Sequence, residues 1–232
     1  EIYMGDWSSD VCSSDLCHVN VNEHVVLRGM FGPFVIRPKK PTALEKKVTK
    51  DFVLMLSDWA SQWADKPGFG GVPGDVFDYF TINGKAYPDS EPIRVQKGDV
   101  VRLRFFGAGD LVHSIHIHGH TLQIAFKDGY PLPVPQKVDT VLIGPGERYD
   151  LIFEADNPGR WMVHDHVDSH TMNGERPHGG LMTVIEYQEI KSNDAWYPWN
   201  KRTPKPNFFY EDSLRKGPGI YTNDTFKGQA VQ

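Results

Sequence analysis

Ten histidines in 232 residues are a large supply of neutral nitrogen donors, and eight of them fall between positions 113 and 178. Two clusters hold seven of these: HSIHIHGH, with His113, His116, His118 and His120, and HDHVDSH, with His164, His166 and His170. Each cluster contains a His-x-His. On a β-strand, side chains two apart point to the same face, so His116 with His118, and His164 with His166, each present two imidazoles in one direction. Two such strands brought together offer four nitrogen ligands of a kind that suits copper, zinc, iron or nickel. A lone histidine on a strand is usually packed or solvated, whereas two spaced pairs point to a metal. Upstream, Cys17, His24 and Met30 follow one another within a loop-like stretch. A thiolate, an imidazole and a weak axial thioether are donors of a blue-copper electron-transfer site.

The pairs need strands to carry them, and the sequence supplies them. Short β-rich runs recur at 52–56, 79–82, 100–106, 114–126, 140–143, 149–153, 161–166 and 181–187. Turn signals such as Asn83-Gly84, Lys127-Asp128-Gly129, Gly144-Pro145-Gly146 and Asn157-Pro158-Gly159 separate them. The pattern predicts an all-β, antiparallel Greek-key β-sandwich, and no helical periodicity longer than about two turns competes with it. The stretch CHVNVNEHVVLRGMFGPFVI ends in a strand-like FGPFVI and reads as the tail of a preceding domain. RPKKPTALEKK, 37–47, carries two prolines and five basic residues with little to bury, and reads as an exposed connection. The expected division is 17–40 as the remnant of a first domain, 41–187 as a complete second domain, and 188–232 as an extended aromatic-rich tail suited to lie across a neighbouring subunit.

Charge and composition exclude other classes. With 25 Lys+Arg against 30 Asp+Glu and no long basic run, an electrostatic grip on nucleic acid is not expected. No stretch approaches the roughly 20 apolar residues of a bilayer span, and no charged-then-apolar leader opens the chain. The segment DWSSDVCSSDL, 6–16, resembles one reading frame of a sequencing-library adapter, so residues 1–16 are set aside as non-native. Without them Glu1, Asp6, Asp10 and Asp15 are lost and no base, leaving 26 acids against 25 bases.

Taken together, CHVNVNEHVVLRGMFGP, HSIHIHGH, DTVLIGPGERYDLIFEADNPGRW and HDHVDSHT resemble a two-domain multicopper oxidase of the laccase-like kind, over roughly residues 17 to 187. The resemblance implies a cupredoxin-like fold, a type 1 copper that takes electrons singly from a small reducing substrate, and a trinuclear type 2/type 3 copper cluster where dioxygen becomes water. It makes Cys17, His24 and Met30 type 1 ligands and His18 a cluster ligand on the electron path. His116, His118, His164 and His166 become the second domain's four cluster ligands. It further implies a homotrimer, with the cluster between the first domain of one subunit and the second domain of the next, in the periplasm or outside the cell.

The departures from that pattern matter too. Many relatives carry His-Cys-His in the second domain, but here Asp165 is the middle residue, so no blue copper is expected there and His113 and His170 are read as vestigial or structural. The first domain's early His-x-His, one type 1 histidine and the histidine expected at Leu16 are missing, which leaves five of eight cluster ligands and three of four type 1 ligands. The chain is therefore expected to be an inactive piece of an oxidase. Two further readings remain open: a copper nitrite reductase, which needs only three histidines at its catalytic copper, and a non-catalytic copper-binding module. Cupin and metallo-β-lactamase readings each lose a defining residue, since no glutamate follows His118 at the cupin spacing and the run His-Ile-His-Gly-His lacks the hydrolase aspartate.

Overall fold

A computed structural model describes residues 11–19, 21–61, 76–174 and 176–189. In chain order the strands are β1 (Val11–Leu16), β2 (Phe31–Ile36), β3 (Lys50–Trp59), β4 (Tyr79–Ile82), β5 (Ile93–Val95), β6 (Val100–Gly107), β7 (His113–Ile117) and β8 (Leu122–Lys127). They continue as β9 (Tyr130–Val138), β10 (Thr140–Ile143), β11 (Arg148–Glu154), β12 (Arg160–Asp165), β13 (Met172–Asn173), β14 (Arg176–Pro177) and β15 (Met182–Tyr187). A five-stranded sheet runs β10-β7-β12-β15-β5 and an eight-stranded sheet runs β14-β13-β4-β3-β6-β11-β8-β9. Ile115, Ile117 and Val163 from the first sheet meet Leu103, Phe105, Leu151 and Phe153 from the second in one buried core. This is the cupredoxin-like β-sandwich expected. No helix among the described residues is long and apolar enough to cross a membrane.

Alternation explains β6. Val101, Leu103 and Phe105 enter the core, while Arg102 and Arg104 point to the other face and are nonetheless buried. Asp51 takes both guanidiniums: Arg102 Nη2 lies 2.6 Å from its Oδ2, and Arg104 Nε and Nη2 lie 2.8 and 2.9 Å from its two oxygens. Asp150 accepts from Arg104 Nη1 at 3.1 Å.

Several expectations need correcting. The sandwich is not wholly antiparallel, because β3 pairs with β6, and β15 with β5, in parallel. The run 114–126 is two strands, broken after Ile117 by a turn at Gly119. The 37–47 connection buries more than its composition suggests. Thr42 and Glu45 form a reciprocal capping box, Thr42 N–H to Glu45 Oε2 at 2.6 Å and Glu45 N–H to Thr42 Oγ1 at 3.2 Å. Glu45 is 8% exposed, 3.7 Å from Arg102 Nη1, and Leu44 and Val48 pack on Ala125, Phe126 and Ile152. Apart from these corrections, residues 11–16, set aside above as non-native, pair with β2 along its whole length. Main-chain hydrogen bonding needs no side-chain pattern, so a polar segment can still complete a two-stranded ladder. The aromatic tail from 190 onward lies outside the described residues.

Removing Asp51 takes from the two buried guanidiniums their shared carboxylate and leaves the more distant Glu45 and Asp150 beside them. Asp51→Ala is therefore expected to destabilise the chain by on the order of 3 kcal/mol in denaturant unfolding. Lys85→Ala, which breaks an exposed pair with Glu91, should leave the midpoint in place.

Candidate metal centre

β7 and β12 lie side by side, and their antiparallel register sets His116 directly opposite His164. The second histidine of each pair lies just past its strand and is caught by a carbonyl of the other strand: His118 N–H donates to Met162 O at 2.9 Å, and His166 N–H to Ser114 O at 2.7 Å. All four rings therefore gather on one face. Ring centroids are 4.8 Å apart for His116 and His118, 5.2 Å for His118 and His164, 5.5 Å for His116 and His166, and 5.7 Å for both His116–His164 and His164–His166.

Hydrogen bonds orient these rings. His116 Nδ1 reaches the Asp139 carbonyl at 3.1 Å and Thr140 Oγ1 at 3.0 Å, and His164 Nδ1 reaches the Asp165 carbonyl at 2.8 Å. A proton placed on each Nδ1 by its carbonyl partner leaves Nε2 as a free lone pair, which is how metal-bound histidines are usually held. His164 Nε2 and His118 Nε2 face each other at 3.1 Å. That gap is one that two metal–nitrogen bonds of about 2.0 Å can span. Burial, with His164, His116 and His166 alongside, pushes the His118 pKa down to about 4. Burial also lowers that of His164. Neutral imidazoles are the ligating form. A solvent-open cavity of about 780 Å³ runs along His116 and His118 and is lined also by Asp139, Glu154 and Asp156.

Gly119 and His120 fix the turn below His118. Gly119 has φ +72°, and a Cβ there would come within 2.4 Å of the Trp161 indole, so only glycine lets the chain turn so close to that ring. His120 Nδ1–H donates to the His118 carbonyl at 3.1 Å, and its Nε2 accepts from the Tyr187 hydroxyl at 2.7 Å. The sequence placed His120 in the cluster but gave it no role. Asp139, Thr140 and Tyr187 were missed outright, because nothing local marks a residue that meets its partner across the sheet.

The opposite face of the same strands carries a second cluster. His113 Nδ1 and His170 Nδ1 each lie 2.7 Å from Asp165 Oδ2, and His113 Nε2 lies 2.8 Å from Asp58 Oδ1. Asp165 Oδ1 accepts from Ser114 N–H and Val167 N–H at 3.0 Å each, and His170 stacks on Phe80. Burial alone would lower the His113 pKa, but the carboxylates of Asp165 and Asp58 hold it up to about 9. Asp165 is resisted by burial yet held well below the usual carboxylate range by His113, His170 and the Val167 N–H. The donor atoms of His113, Asp165 and His170 all lie within 4.8 Å of one another. Every nitrogen of His113 and oxygen of Asp165 is already engaged, however, whereas His116 and His118 line an open cavity.

The upstream stretch is not all loop, since His24 lies in a short helix (Asn22–Leu27), and Cys17 Sγ lies 3.1 Å from His24 Nδ1. Main-chain bonds from Met30 N–H to His24 O at 2.7 Å and from Cys17 N–H to Met30 O at 3.5 Å lay Met30 beside them. The Met30 residue is 60% exposed, and His18 is exposed as well.

A sequence model of the multicopper oxidase family matches residues 50–175, more than half of the chain. The chain belongs to the multicopper oxidase family. That family is one of copper-dependent oxidoreductases. The solved blue copper oxidase of Nitrosomonas europaea is 62% identical with a TM-score of 0.77, over 89% of this chain and 65% of that one. The curated multicopper oxidase MmcO of Mycobacterium tuberculosis is 37% identical over 108 residues, 47% of this chain and 20% of its own length. This multicopper oxidase chain thus spans less than two thirds of either relative. A copper nitrite reductase from Nitrosomonas europaea, at 21% identity and TM-score 0.65, shares the fold.

The His113 ion network supplies a pH test. Its folded pKa of about 9 lies above the ordinary 6.5, so its contribution is full below about pH 6.5 and is lost as pH rises through about 9. Tm is expected to fall across that window, and His113→Gln should flatten the slope; a wild-type Tm unchanged from pH 6.5 to 10 would contradict the charged network.

Proposed function

We propose that this chain supplies the second-domain half of a trinuclear copper cluster, together with part of a type 1 copper site, in an oxidase that draws electrons from small reducing substrates and reduces dioxygen to water. The observation that carries the reading is the gathering of His116, His118, His164 and His166 on one sheet face, with Nδ1 of His116 and His164 turned onto backbone carbonyls and Nε2 of His164 facing Nε2 of His118 at 3.1 Å. Copper held there would supply the one-electron steps. The chain's own residues orient it: Asp139 and Thr140 hold His116, the Asp165 carbonyl holds His164, and His120 with Gly119 holds the turn at His118.

Paired rather than fully enclosed donors suit a cluster finished from elsewhere. The open cavity beside His116 and His118 is where the first domain of a neighbouring copy would dock, and a homotrimer closes such a ring of half-sites. Cys17 and His24, already in contact, with Met30 alongside, are the type 1 donors in this reading, and His18 would be a cluster ligand on the electron path from Cys17. A periplasmic or extracellular setting accompanies the proposal. Retention of both His-x-His pairs favours a three-copper cluster over the single catalytic copper of a nitrite reductase.

The copper-loaded full-length protein is expected to consume dioxygen with a phenolic or ferrous donor. Nitric oxide from nitrite without oxygen uptake would instead establish a nitrite reductase, and copper uptake with no turnover a binding module. The 232-residue chain alone should bind copper weakly, show no intense blue band and turn over no donor, because a half-built ligand set is not preorganised.

A further inference from the structure

We propose that the Asp165 side chain is a positioning residue for His166, holding that imidazole toward the metal pocket from the opposite face of the chain. β12 ends at Asp165, so His166 lies beyond the regular ladder, although the sequence predicted a strand through 166. One main-chain bond, His166 N–H to Ser114 O, holds it directly. The next residue is held by Asp165, whose Oδ1 accepts from Val167 N–H while also accepting from Ser114 N–H. A single oxygen thus bridges the chain on both sides of His166 to β7, the strand carrying His116.

That oxygen is itself fixed. Asp165 is 1% exposed, and its Oδ2 is gripped by His113 and His170. His113 is anchored in turn on Asp58, whose Oδ2 accepts from Leu111 N–H at 2.9 Å. The lattice therefore ties the segment after β12 to β3, β7 and the turn at His170. The two halves of Asp165 have separate tasks: its carbonyl orients the ring of His164, and its carboxylate sets the course of the chain through His166. In this chain the carboxylate does mechanically what strand pairing does for His116 and His164.

The inference rests on the copper reading, and its test separates the two. Wild type, D165A, D165N, H166A and the D165A/H166A double variant are compared for copper(II) affinity by chelator competition, for Tm, and for amide hydrogen exchange at residues 166–168. D165A is expected to lose about 10- to 100-fold in copper affinity, the usual effect of removing an outer partner of a ligand. D165N keeps an oxygen for the Ser114 and Val167 N–H groups and should lose less. The double variant should bind no more weakly than H166A alone, because the side chain acts through His166. Unchanged affinity in folded D165A, or additive losses, would overturn the proposal. If wild type takes up no copper, the copper reading fails, and exchange alone then decides: faster exchange at 166–168 in D165A supports the positioning role and unchanged protection overturns it.

Discussion

The pairing of His116 with His164 across β7 and β12 is the constraint on which the remaining chemistry depends. Side chains on a strand alternate between faces, so a slip of one residue would turn two imidazoles of one strand into the core and leave the other two without neighbours. The register is defended from inside. Ile115, Ile117 and Val163, all buried, occupy the alternate positions, and none can be moved outward without exposing apolar surface. The core that stabilises the sandwich and the pocket that faces solvent are thus two sides of one register.

The two faces treat histidine in opposite ways. On the outer face four imidazoles crowd together, and proximity with partial burial keeps His118 and His164 neutral, with lone pairs available. On the inner face His113 lies between Asp165 and Asp58 and is held protonated well above the ordinary imidazole range. A cation made from a proton needs no entry path and no exchangeable ligand. With both nitrogens of His113 and both oxygens of Asp165 in use, the inner cluster is a brace, and the outer face is left for chemistry.

Much of this was legible from spacing alone. His-x-His on an apolar strand specifies a shared face, and β4 and β10 coincide with their expected bounds because β-branched and aromatic residues fill short runs between clear turns. What escaped was long-range. β9 reads as non-strand because Pro131, Pro133 and Pro135 cannot donate to a ladder, yet as an edge strand it can direct those missing donors to solvent. β5 is three residues long and gains its meaning from a parallel partner ninety-two positions away. Asp58 looks like any acid in an apolar run, and only the fold reveals that it faces His113. The Thr42–Glu45 capping box carried a readable signal, masked by the surrounding lysines. Asp165 stood out as an oxygen where the resembled family often has a thiolate, but two of its four partners, His113 and Ser114, lie on another strand more than fifty positions away.

The central claim is that the outer imidazoles, and not the inner carboxylate cluster, receive the metal. The most direct measurement is anomalous diffraction at the copper edge from crystals of this chain soaked in excess copper(II). The account predicts anomalous density bounded by the rings of His116, His118, His164 and His166. Density confined to His113, Asp165 and His170, with none among the four outer rings, would contradict it.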